Sequence, residues 1–103
     1  MNPLFQISTR SYEKEISIVR KALESLEIEC NVKNGYGIEK PFTKFGWTFF
    51  NIQISKEMAD HIEKSGMMQG ALGYKIGEQM TNFIGHYLET KGSSVRIKKI
   101  DYG

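Results

Sequence analysis

Trp47 and Phe49 are the side chains in this sequence best suited to chemistry, and the chemistry they suit is stacking. Along Gly46–Ser55 they alternate with apolar residues. A strand there would put Trp47, Phe49, Asn51 and Gln53 on one face and Thr48, Phe50, Ile52 and Ile54 on the other. Aromatic rings hold bases at about 1–3 kcal/mol each, and neighbouring cations neutralise phosphate. Adjacent strands are expected to bring Asn31 and Lys33, then Arg96 and Lys98, to the same side. Gln6 and Ser8 join them if Phe5 and Ile7 point inward.

A second group lies in the connection Asn34–Phe45, which carries Tyr36, Phe42 and Phe45 with Lys40 and Lys44. Long connections in small domains often contact ligands. Aromatic and basic residues suit a nucleic acid or an acidic protein surface; the alternative is that the aromatics tuck over the sheet edge. A third group is a run of small residues. In a continuous helix Gly66, Gly70, Gly73 and Gly77 would fall within about 60° of arc, with Thr81 beside them. Each helical glycine costs roughly 1 kcal/mol against alanine, so such a stripe implies close backbone contact with the parent sheet, a second copy or a ligand.

Bond-making chemistry has no comparable signal. His61 and His86 lack ligand-spaced partners, so no metal site is expected. Cys30 lies in no nucleophile motif, and the acidic residues are interspersed with lysines. An enzymatic role and a cofactor are therefore not expected. A single cysteine excludes an internal disulfide framework and fits a reducing compartment. No apolar run reaches the roughly 20 residues of a membrane helix, and Met1–Leu4 does not resemble an export signal. A cytoplasmic location is the expectation.

The net charge of +2 is too small by itself to indicate a polyanionic partner. Its distribution is uneven: residues 28–55 and 92–103 carry a balance of +3, placing the basic excess in strand and loop segments.

These residues need elements to position them. Leu4–Thr9 alternates as a strand. Ser11 can cap a helix reaching about Glu27, with Ile16, Val19, Leu23 and Leu26 as its apolar stripe. Ile28, Cys30 and Val32 alternate with polar residues and predict a second strand, followed by an Asn34-Gly35 turn. Ser55 can cap a further helix that Ser65-Gly66 interrupts. Residues 67–91 carry a long helical pattern ending at Gly92, and Val95–Asp101 is a last strand. This predicts one α+β domain over 1–103: a four-stranded, mostly antiparallel sheet with helices on one face, in ferredoxin-like βαββαβ order with a long or broken second helical segment.

Gly46-Trp47-Thr48-Phe49-Phe50-Asn51-Ile52 resembles the third-strand signature of the RNA-recognition motif, a glycine followed by alternating aromatics. Phe45 stands where that family has Lys or Arg, and the likeness is read as shared architecture, not membership. The expectation is a small binding module for single-stranded nucleic acid or a nucleotide. Trp47, Phe49, Lys33, Arg96, Lys98, Lys40, Lys44 and Tyr36 would form its surface. The alternative is a protein-interaction module, an inhibitor or adaptor of a larger machine of viral or plasmid kind. It would act as a homodimer through Gly66, Gly70, Gly73, Gly77 and Thr81.

Overall fold

Alternation in the strands and helical periodicity between them give eight elements, which the computed structural model describes across residues 2–102. They are β1 (Leu4–Thr9), α1 (Tyr12–Cys30), β2 (Tyr36–Ile38), β3 (Phe42–Lys44), β4 (Trp47–Ile54), α2 (Lys56–Ser65), α3 (Ile76–Thr90) and β5 (Arg96–Asp101). The strands form one antiparallel sheet in the order β2-β4-β1-β5, and β3 also pairs with β4. The fold is α+β with five strands where four were expected. The extra strand arises because β2 and β3 share one edge of β4: Tyr36 and Ile38 oppose Ile54 and Ile52, and Phe42 and Lys44 oppose Phe49 and Trp47. Between them Glu39 still donates its N–H to Asn51 O at 2.9 Å. Pro41 has no N–H to donate, and the pairing breaks there. At the opposite edge the β1–β5 register slips between Leu4 and Phe5.

Alternation decides which face of the sheet is covered. Phe5 and Ile7 of β1 and Phe50, Ile52 and Ile54 of β4 are buried. They share one cluster with Val19, Leu23 and Leu26 of α1, Met58 and Ile62 of α2, and Met80, Ile84 and Leu88 of α3. All three helices therefore lie on the same side. At the start of α2, Ser55 Oγ accepts from Met58 N at 3.0 Å, and Gly66 at φ +84° ends that helix. Ser11 occupies the N-cap of α1 without making a side-chain cap bond.

Two expectations are corrected. In place of the strand expected over 28–33, residues 28–30 close the last turn of α1 and residues 31–33 begin the loop after it, and Ile28 is 80% exposed. Cys30 continues the Val19, Leu23, Leu26 face at helical spacing, so burial through the helix outweighs the local alternation. Asn31 then turns the chain at φ +54°. The helix expected to begin near Met67 begins at Ile76. Gly66, Gly70 and Gly73 have φ of +84°, +91° and +137°, values a right-handed helix cannot use. The residues between α2 and α3 form an irregular connection, and the glycines serve turns within it.

A carboxylate is built into the interior. Glu15 of α1 is 1% exposed, and its carboxylate accepts from Ser93 Oγ at 2.8 Å, Ser94 Oγ at 2.9 Å and Ser94 N at 3.2 Å. Burial would raise its pKa. The hydrogen bonds from Ser93 and Ser94 outweigh that and hold the carboxyl below the usual range. The contact ties the turn before β5 to the first turns of α1.

Candidate functional site

β4 alternates as expected, so Trp47 and Phe49 stand on the face away from the helices, half-buried, while Phe50, Ile52 and Ile54 point into the core. Pairing fixes what surrounds them. Lys44 of β3 opposes Trp47, and Phe42 opposes Phe49. On the other side of β4, Ser8 opposes Phe49 and, across β1, Arg96. One step further, Asn51, Gln6 and Lys98 form the next row.

Trp47 is a meeting point for cations. The guanidinium carbon of Arg10 lies 4.9 Å from the indole centroid, and that of Arg96 lies 5.1 Å away. The ring's electron-rich face attracts each guanidinium. Beside it, the rings of Phe42 and Phe49 stack with centroids 5.2 Å apart and planes 21° from parallel. In the polar row, Asn51 Nδ2 donates to Glu39 Oε1 at 3.2 Å. The face thus combines an aromatic pair, an indole carrying two guanidiniums, and Lys44 and Lys98 alongside. Such a surface can stack a planar ligand and neutralise anionic groups.

The other expected residues fall in different places. Lys40 is exposed on the broken edge between β2 and β3. Lys33 is exposed in the α1–β2 loop, which leads to the Ile54 end of β4, away from Trp47. Its strand position is lost with the strand expected there. Tyr36 leaves the set, because it opposes core-facing Ile54 and its hydroxyl donates to Glu24 Oε1 on α1 at 3.4 Å. Burial, reinforced by Glu24 and Glu27, pushes the Tyr36 pKa up.

The small-residue stripe does not exist as one helical face. Gly66, Gly70 and Gly73 lie outside α3. Gly77 and Thr81 lie on it, with Thr81 Oγ1 donating to Gly77 O at 2.7 Å. Close approach at Gly77 is made by the chain's own C-terminal segment: an added Cβ would sit 3.0 Å from Lys99 Cδ and 3.1 Å from Tyr102 Cβ.

Arg10 was missed. The signal for it is the alternation of β1 carried past Thr9, because Gln6, Ser8 and Arg10 share one phase. A separate concavity of about 500 Å³ lies between residues 67–72 and α3, lined by Met67, Met68, Leu72, Phe83 and His86 among others. Among the described residues, no three His, Cys, Asp or Glu side chains gather as a metal ion would need. No described helix is long and apolar enough to cross a membrane.

Compared with known proteins, the chain matches no family model, no curated protein and no solved structure.

Proposed function

We propose that this chain is a non-enzymatic binding module for single-stranded nucleic acid or a nucleotide, and that the open sheet face is its binding surface. The observation that carries this reading is the pairing of Trp47, under Arg10 and Arg96, with the stacked Phe42 and Phe49 in the next row. A base stacks on the outer surface of the aromatic pair, and phosphates lie toward Arg10, Arg96, Lys98 and Lys44. In this reading β2 and β3 are taken as one interrupted edge strand, and a ferredoxin-like order of that kind would leave this face free.

Titration with a single-stranded oligonucleotide should quench the one tryptophan, and binding should weaken as salt rises. Phe49→Ala should lower affinity about tenfold or more, measured by anisotropy of a labelled oligonucleotide. A folded Phe49→Ala variant with unchanged affinity removes the reading.

A second reading, a protein-interaction module, is favoured by one stretch. Leu72 is 79% exposed and Tyr74 fully exposed in the α2–α3 connection, and neither can be part of the core. It predicts a nuclease-resistant complex that is lost on Leu72→Ser and kept on Phe49→Ala.

A further inference from the structure

The β3–β4 hairpin ends in a two-residue turn, Phe45-Gly46, closed by the opposed pair Lys44 and Trp47. Both turn residues have positive φ, +53° and +79°, as a tight hairpin of this kind requires. Glycine and asparagine fit the first position without strain, whereas a phenylalanine Cβ crowds the following carbonyl. Phe45 is nevertheless there, and its side chain contributes nothing to the core, being 90% exposed. The ammonium of Lys44 lies 5.5 Å from its ring centroid. Residues 40–47 contain Lys40 and Lys44 and no acidic residue. The tip is therefore an aromatic ring presented on a strained turn in a purely basic hairpin.

We propose that Phe45 is a second nucleobase-contacting element, a wedge that stacks between bases of the single strand lying across the sheet. This rests on the sheet-face reading above and extends it to a site off the sheet. Charge selects the occupant. A basic tip suits a polyanion, and the flat faces of unpaired bases are what an exposed phenyl ring can stack on. The hairpin also carries Phe42 and leads directly into Trp47, so one chain segment links the tip to the aromatic pair and to the indole. Backbone strain at a residue whose ring stays outside the core is the pattern expected of a contact residue.

The experiment compares the wild-type chain, Phe45→Asn, Phe45→Gly and Phe49→Ala. A fluorescein-labelled, mixed-sequence single-stranded oligonucleotide of about ten nucleotides spans a module of this size. Binding is read by anisotropy and folding by thermal melting. Both Phe45 variants suit the turn, so their melting temperatures should equal or exceed that of the wild type. Their affinities should fall about tenfold or more. If they bind as tightly as wild type while Phe49→Ala binds more weakly, the wedge is overturned and the sheet face stands. If the wild-type chain does not bind the oligonucleotide at all, the sheet-face reading fails and the wedge fails with it.

Discussion

The Arg96 guanidinium lies 5.1 Å from the centre of the Trp47 ring, joining the first residue of β5 to the first residue of β4. Arg10, the residue just past the end of the intervening strand β1, reaches the same ring. Two strands and the residue that follows a third thus meet at one indole, and the geometry depends on the register of the sheet. A slip of one residue in either pairing would turn Arg96 or Trp47 toward the helices.

Replacing either arginine tests that cluster. Arg10→Ala and Arg96→Ala should each weaken oligonucleotide binding and reduce the magnitude of the salt slope by roughly 0.7 for every phosphate no longer neutralised. Affinities measured across a sodium chloride series give the slope. An unchanged slope in both variants would show that neither guanidinium meets a phosphate.

Stability should depend on pH at both ends of the scale. The Glu15 carboxyl has a lowered pKa in the folded chain, so its stabilisation is present above the unfolded value of about 4.3 and is lost as pH falls through the folded value. Glu15→Gln should cost about 1–3 kcal/mol near neutrality and flatten this acid limb in denaturant titrations. Tyr102 and Tyr87 behave oppositely. Burial raises both pKa values, and hydrogen bonds to Glu63 and Glu29 add to the rise. Their stabilisation is intact below the unfolded value of about 10 and declines as pH climbs beyond it. Native tyrosine absorbance should accordingly titrate later than that of the denatured chain.

The close approach at Gly77 also gives a clear expectation. Gly77→Leu would force a side chain into Lys99 and Tyr102, and should destabilise the fold by about 1–3 kcal/mol. If the packing is internal, the destabilisation should be the same at low and high protein concentration in thermal melts. A concentration-dependent effect would point to a subunit interface instead.

Much of this arrangement was legible in the residues themselves. The two faces of β4, the Ser55 cap and the break at Gly66 follow from local pattern, and each signal has a single reading. Cys30 belongs to two patterns, an alternation with Ile28 and Val32 and a helical face with Leu23 and Leu26. Only tertiary packing chooses between them. The glycines from Gly66 to Gly77 have helical spacing, but spacing carries no information about φ, and three of them adopt positive values. Arg10 meets Trp47 through strand register, which joins residues distant in the sequence, whereas Phe42 meets Phe49 across a local hairpin. The cations expected around Trp47 were partly misplaced because Lys33 depended on the misread strand, while Arg96 and Lys98 depended on the correctly read one.

The interruption at Pro41 governs how this sheet can meet other chains. A long, uninterrupted outer strand would invite a neighbouring molecule to zip onto it through main-chain hydrogen bonds, the first step toward fibrils. Here one rim is split into two three-residue pieces, and the other carries adjacent Lys98 and Lys99 beside a slipped register. Neither rim is a good template for another backbone. The same two rims therefore disfavour strand-to-strand growth, and under the reading proposed above the ligand would meet the broad surface where the rings lie.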